Sequence, residues 1–471
     1  MIHQRIKGIH INSYDREESS GDVKHRRHEE SPRMRRYKIP VLSMQNIRRR
    51  RNILILLMIS STILLLLWIP IISVANDGSS SSSSSVLSTL VSVVFGNEKH
   101  IPPSMQSETT LYEFIHTIRR PPFLSQSNIS ASTAHISSSS YMQYDVNHCP
   151  ENPPLNYPME WPIVNIIHNW NPNTTYFPSL DQRPYIYQGI CRFHYSTDFV
   201  KAMNYRLAEV PFILRDDPAI LQVVYRWNQS GYLEHLLGGG DDNTLMDVEY
   251  STTNQLLYFK DHHKNNPKGW IPPMKSIKMT YKQWLEKATQ TSNQDMGPNQ
   301  PHWYFRVNAK DELGQHFLYH EMPFFSPLSS SDKPNFYLVD MNDLRGINCR
   351  FGMMGNTAAT HFDASRNFIV LLGGERRYIL SHPRNCPHLA LFPMRHPSGR
   401  HSKLNWSNPN LTEAPEFALA KGNEIVLQPG DVLYLPTYWF HYIVSLELNW
   451  QCNARSGYTH EYEHYIRQCG F

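Results

Sequence analysis

Two kinds of hydrophobic pattern divide the chain. From about Trp303 onward, short apolar or alternating runs recur between turn signals. Residues 368–372 (FIVLL) precede Gly373-Gly374, residues 377–380 precede His382-Pro383, and residues 424–427 precede Pro429-Gly430. Runs of this length and spacing predict a sandwich or barrel of strands. Before Trp303 helical and strand patterns mix. Residues 210–214 (VPFIL) read as a strand entering the core, and residues 220–237 as a helix stopped by Gly238-Gly239-Gly240. Residues 279–285 open an amphipathic helix with Thr280 placed as its cap. The expected architecture is α+β with an all-β core.

A third pattern lies further upstream. Residues 53–75 (ILILLMISSTILLLLWIPIISVA) form an uncharged apolar run of about 23 residues, enough for a helix to cross roughly 30 Å of hydrocarbon. Arg48, Arg49, Arg50 and Arg51 stand before it and Asp77 is the first charge after it. The positive-inside rule then puts residues 1–52 in the cytosol and the rest in the lumen or outside. Ser73-Val74-Ala75 resembles a signal-peptidase site, but the segment before it is too long for a cleaved signal peptide. An uncleaved signal anchor is the expectation. Residues 76–145 carry the serine runs 79–85 and 137–140 and read as a disordered stem. Residues 86–95 are too short to span a bilayer and read as a helix near the membrane.

Composition adds a sizeable core: 40% of residues are hydrophobic, 12% aromatic and 18% charged. The net charge of +4 hides an asymmetry. Residues 1–52 hold 14 Lys/Arg against 6 Asp/Glu, leaving the remainder at about −4. The large segment lacks the basic footprint of a nucleic-acid binder. All six cysteines (149, 191, 349, 386, 452, 469) and the sequons at Asn128, Asn173, Asn228, Asn405 and Asn410 lie beyond the apolar run. That distribution fits an oxidising, luminal compartment and structural disulfides, with the pairing left open among 15 possibilities.

The chemistry starts at His361-Phe362-Asp363. On a strand, residues i and i+2 face the same way, so an imidazole and a carboxylate converge. They are two ligands of a two-His-one-carboxylate set, which leaves open positions on iron(II). An HxD is common by chance, and His28-Glu29-Glu30 is an HxE decoy in the tail. Context supplies the third member. Pro429-Gly430 makes a turn, a strand follows to Leu435, Pro436 ends it, and His441 stands just beyond. Tyr434, Tyr438, Trp439, Phe440 and Tyr442 read as core and pocket wall. Arg455 shares a strand face with Asn453; a carboxylate role there is open, and a surface salt bridge is the expectation. Arg395-His396 and Arg400-His401 read as a solvated basic loop, and His460 and His464 as surface histidines.

Residues 350–457 resemble the Jumonji-C domain of the cupin-like class, closest in pattern to the asparaginyl hydroxylase of hypoxia-inducible factor. The match runs through Gly355-Asn356, His361-Phe362-Asp363, Asn367, Gly374-Glu375-Arg376-Arg377-Tyr378-Ile379-Leu380 and the stretch from Pro429 to His441, with a weaker likeness back to Tyr187. The resemblance implies a double-stranded β-helix (jelly-roll) core with flanking helices. It also implies Fe(II) held by His361, Asp363 and His441, with 2-oxoglutarate as cosubstrate. By position, Tyr304 and Arg376 match residues that hold the cosubstrate's distal carboxylate, and Asn367 and Asn453 match polar residues beside it. Arg376 stands where the family usually has lysine, and its bulk calls for a roomier pocket. Ala358 stands where a Thr or Ser usually donates to the same carboxylate.

The expected organisation is therefore a cytosolic tail (1–52), a transmembrane anchor (53–75), a stem (76–145), an N-terminal α/β part (146–300) and the barrel (301–471). The expected function is a type II membrane-bound, secretory-pathway dioxygenase that hydroxylates a protein or peptide, with the globule in the ER/Golgi lumen or outside. The rival reading is a catalytically silent cupin-fold protein for luminal interaction or folding assistance. A third is a metal-using cupin enzyme that needs no 2-oxoglutarate.

Overall fold

The computed structural model describes residues 107–125, 144–173, 183–238, 244–292, 297–310, 315–327 and 335–471. The expected tail, the apolar run at 53–75, both serine runs and Asn128 lie outside them. Among the described residues no helix is long and apolar enough to cross a membrane.

The chain opens with α1 (Glu108–Ile118), β1 (Trp161–Pro162), α2 (Ile163–Asn169), β2 (Arg192–His194), α3 (Tyr195–Leu207) and β3 (Phe212–Arg215). It continues with α4 (Pro218–Trp227), α5 (Tyr232–Gly238), β4 (Met246–Ser251), β5 (Gln255–Leu256), β6 (Lys275–Met279), α6 (Tyr281–Ser292), β7 (His302–Ala309) and α7 (Phe317–Glu321). Strands then dominate: β8 (Leu344–Gly352), β9 (Thr357–Phe362), β10 (Asn367–Gly373), β11 (Arg376–Ser381), β12 (Lys421–Leu427), β13 (Val432–Leu435), β14 (Phe440–Ser445) and β15 (Asn449–Ser456). The last element is α8 (Glu463–Gln468). Among the described residues two sheets result, ordered β1-β12-β11-β14-β9-β5 and β2-β3-β13-β10-β15-β8-β7-β4-β6.

The reason β10 reads as an unbroken apolar run is that both its faces are covered. Ile369 and Leu371 join Tyr378, Leu380, Ile425, Leu427, Leu433 and Leu435 in the core between the sheets. Phe368, Val370 and Leu372 point the other way, into a cluster with Trp227, Phe351 and helical residues. β4 and β6 extend the sheet that contains β7 and β8, so the boundary expected at 301 falls within one sheet.

The helix expected over 220–237 is two. Asp217 caps α4 by accepting from the Ala219 amide at 2.9 Å, and the Asn228 side chain closes its end by donating to the Val224 carbonyl at 2.6 Å. Gly231, at φ 75°, turns the chain into α5. Thr280 does cap α6, in a reciprocal box with Gln283 at 3.2 and 3.0 Å. The segment expected to be disordered stem supplies α1, capped by Ser107. Its Leu111 and Ile115, one helical turn apart, are buried in the helix-side cluster. The serine-rich composition around them masked that stripe. The cysteines pair as Cys149–Cys191, Cys349–Cys452 and Cys386–Cys469.

Candidate metal centre

The turn before β13 is fixed first. Asp431 donates its amide to the Gln428 carbonyl at 2.9 Å, and Gly430 takes φ 86°, which a type II turn requires at its third residue. Asp431 is fully buried and paired with Arg215 at 2.8 Å, so the acid of this motif is structural. After β13, Tyr438 turns at φ 70° and donates its amide to the Asp363 carbonyl at 2.8 Å. β14 then runs antiparallel to β9 with His441 directly opposite His361. Opposed residues share a face, and the two imidazole centroids lie 4.2 Å apart.

The three expected ligands meet. One ligand atom each from His361, Asp363 and His441 lies within 4.8 Å of the others. Each histidine donates Nδ1–H to a backbone carbonyl, His361 to Ala359 at 2.9 Å and His441 to Trp439 at 3.1 Å. That fixes the tautomer and leaves both Nε2 lone pairs for a cation. Burial pushes both imidazoles toward the neutral, ligating form, His361 well below the usual histidine range. Burial alone would raise the Asp363 carboxyl. The charge of Arg455 leads the opposing influences, and the group is held well below the usual carboxylate range. The donor set of two neutral imidazoles and one carboxylate fits iron(II).

Arg455 is therefore not on a surface salt bridge: it bonds Asp363 at 2.8 Å with its side chain 19% exposed. It shares a face with Asn453, which donates to Asn367 at 2.9 Å, and Asn367 reaches Asp363 Oδ2 at 3.4 Å. The structure thus brings Asn367 and Asn453 to the carboxylate ligand. Tyr304 and Arg376 meet separately, with Arg376 Nη1 donating to the Tyr304 hydroxyl at 3.0 Å. Arg376 is fully buried and also donates to the Asn449 side chain and the Arg350 carbonyl, all neutral acceptors. A buried cation among neutral groups fits a carboxylate ligand. Gly352 makes the room that arginine needs: a Cβ there would lie 3.2 Å from Arg376 Nη2 and 2.6 Å from Ser445 Oγ.

Ala358 stands opposite Ile443, across an irregularity in the β9–β14 register, and presents no hydroxyl. Thr357 stands opposite Val444, in the outer cluster. Tyr378, two residues after Arg376 on β11, is a nearby hydroxyl that sequence spacing did not single out. It bonds Gln451 at 2.5 Å and interacts with Arg376.

The loop expected to be solvated contributes another missed residue. His401 is 5% exposed, bridges β9 at His361 and stacks on the His361 ring at 4.9 Å. Its Nδ1–H donates to the Gly399 carbonyl at 3.2 Å, and burial pushes its pKa down to about 4. Tyr258 lies over both rings, 6.2 Å from His361 and 6.3 Å from His401. No local spacing ties residue 401 to residue 361, since the pairing closes only in the fold. His460 stays on the surface with Glu463, and Trp439, Phe440 and Tyr442 are core as expected.

Comparison with known proteins agrees with this geometry. A protein named lysine-specific demethylase JMJ31 from Arabidopsis thaliana is 30% identical over 139 residues, 28% of this chain and 25% of that protein. The tRNA wybutosine-synthesizing protein 5 of Gallus gallus is 36% identical over 106 residues, 22% of this chain and 31% of that protein. HSPB1-associated protein 1 of Rattus norvegicus is 35% identical over 100 residues, a fifth of each chain. The matched stretches span less than a third of these relatives. The family model described as a cupin-like domain matches residues 198–458, more than half of the chain and all of the site, so this chain belongs to the Jumonji-C/cupin-like family.

Proposed function

We propose that the protein is an Fe(II)- and 2-oxoglutarate-dependent oxygenase that hydroxylates a protein or peptide. One observation carries the reading: a buried His361–Asp363–His441 set stands beside Arg376, a fully buried guanidinium whose partners among the described residues are neutral. Iron(II) and 2-oxoglutarate together supply a two-electron oxidation of a C–H bond by O2, releasing succinate and CO2. His361, Asp363 and His441 would hold the metal. Arg376 and Tyr304 would hold the distal carboxylate, and Tyr378 supports Arg376 where Ala358 gives nothing. Asn367, Asn453 and Arg455 keep Asp363 oriented and ionised. His401 and Tyr258 wall the site on the side of His361.

The apolar run at 53–75, with the arginines before it, supports a type II anchor that places this module in the secretory pathway. Three disulfides agree with an oxidising compartment. The test uses the full-length protein in detergent. Mn(II) should raise its melting temperature, His361→Ala should abolish that rise, and 2-oxoglutarate should be turned over to succinate with Fe(II). Folded protein that neither binds metal through His361 nor forms succinate would leave the scaffold reading in possession.

A further inference from the structure

Beside Arg376 the inner face of the larger sheet carries more positive charge than the oxygenase reading uses. Arg350 on β8 stands directly opposite Arg306 on β7 and Gln451 on β15. The same face presents Tyr304 two residues before Arg306, and Gly352, under Arg376, two residues after Arg350. Arg306 is ion-paired with Glu249 on β4. Arg350 donates to Asn308 at 2.9 Å and to the Cys349 carbonyl at 3.2 Å, and no carboxylate of the described residues lies within ion-pair distance of it. Burial first, then the charge of Arg306, pushes the Arg350 pKa down, with Tyr258 and Glu249 opposing.

The pairing of these arginines is uneven. Arg455 is matched by Asp363 and Arg306 by Glu249. Arg376 and Arg350 remain. The cosubstrate's distal carboxylate takes Arg376, which leaves one guanidinium in a low-dielectric site without an anion. The place is next to the chemistry: the Tyr258 ring lies 5.9 Å from the Arg306 guanidinium on one side and 6.2 Å from the His361 ring on the other. Arg350, Arg306 and Tyr258 each keep part of their surface exposed, so this flank reaches solvent.

We propose that Arg350, backed by the Arg306–Glu249 pair, is an anion-binding subsite that receives one aspartate or glutamate side chain of the peptide substrate. The word substrate rests on the oxygenase reading above. A carboxylate is favoured over a phosphate because the Glu249 carboxylate already lies beside Arg306 and Arg350 and repels a doubly charged group more than a singly charged one. A guanidinium fork also matches a carboxylate bidentately.

The test is binding of labelled, capped short peptide pools to the full-length protein with Mn(II) and 2-oxoglutarate, followed by fluorescence anisotropy. The pools are identical except for a central Asp or Glu against a central Asn or Gln. The acidic pool should bind at least about tenfold more tightly. Arg350→Met should erase that preference and Arg350→Lys should keep most of it. Equal binding of the two pools by the wild type overturns the subsite, and that comparison decides even where Arg350→Met does not fold. Preference retained in a folded Arg350→Met variant overturns it as well. So does free N-acetylaspartate competing as strongly as the acidic pool, which assigns the charge to a small carboxylate instead. Succinate formation is measured in parallel. Preference without succinate defeats the oxygenase reading and leaves the subsite standing, whereas succinate without preference defeats the subsite alone.

Discussion

Replacing Arg376 with methionine separates what this residue does for folding from what it does for the cosubstrate. The guanidinium is fully buried and donates to the Tyr304 hydroxyl at 3.0 Å, the Arg350 carbonyl at 3.2 Å and the Asn449 side chain. Methionine leaves those acceptors unsatisfied, at about 1–3 kcal/mol for each that stays dry. It also removes a cation buried without a counter-ion, which works in the opposite direction. The ligand-free protein should therefore shift by only a few degrees in melting temperature, since about 1 kcal/mol corresponds to roughly 2–4 °C for a domain this large. Binding of 2-oxoglutarate has no such offset. Two charge-assisted bonds from one fork are worth about 3–6 kcal/mol, or roughly 100- to 10,000-fold in affinity. The assay is thermal stabilisation by 2-oxoglutarate in the presence of Mn(II), which follows the ratio of ligand concentration to dissociation constant. Arg376→Met should lose that stabilisation, and Arg376→Lys should retain part of it. A folded Arg376→Met protein with 2-oxoglutarate affinity within about threefold of wild type would refute the assignment and favour a cupin site that works without this cosubstrate.

The neighbouring Arg377 behaves differently, because it is paired with Glu424 with both side chains fully buried and also donates to the Trp170 carbonyl at 2.7 Å. Arg377→Met should lower the unfolding free energy by about 3–5 kcal/mol, and adding Glu424→Gln should recover part of that, as measured by denaturant melts. Asp431 is driven upward by burial and more strongly downward by Arg215, Arg119 and Arg192, so its carboxyl titrates below the usual range. A depressed folded pKa gives stability that is present above the unfolded value of about 4 and is lost as pH falls through the folded one. Asp431→Asn should accordingly be less stable at neutral pH and show a flatter loss of stability between about pH 5 and 2. The luminal placement proposed above is tested at the sequons: Asn405 and Asn410 are exposed, whereas the Asn228 amide donates to the Val224 and Leu372 carbonyls at 2.6 and 2.7 Å. Glycosidase should therefore shift the mass of the full-length protein through Asn405 and Asn410, and Asn228→Gln should leave the shift unchanged.

Legibility of the site followed the range over which each residue's position is set. His361 and Asp363 share a face by strand alternation, and the turn at Pro429-Gly430 and the stop at Pro436 are local signals, but an HxD is common by chance and only the resemblance joined these signals into a triad. Arg455 was placed on the right face but expected at the surface, because its partner depends on β15 lying next to β10 in a register that puts Arg455 opposite Asn367. Helix α1 was hidden by composition: Leu111 and Ile115 are a sound helical stripe, but they sit in a serine-rich stretch whose average suggests disorder. His401 was out of reach. A run of Arg, His, Ser and Gly looks solvated, and only the return of the 382–420 loop onto the edge of β9 buries it, with the Ser402 amide donating to the Thr360 carbonyl at 2.9 Å. Arg350 was a similar case, since its lack of a carboxylate partner among the described residues is something no local pattern encodes. A metal triad built from strand ladders is thus announced by alternation and turns. The residues around it, such as His401 and Arg350, are positioned by distant loops and by pairing across a sheet, and they become visible only when partners can be counted.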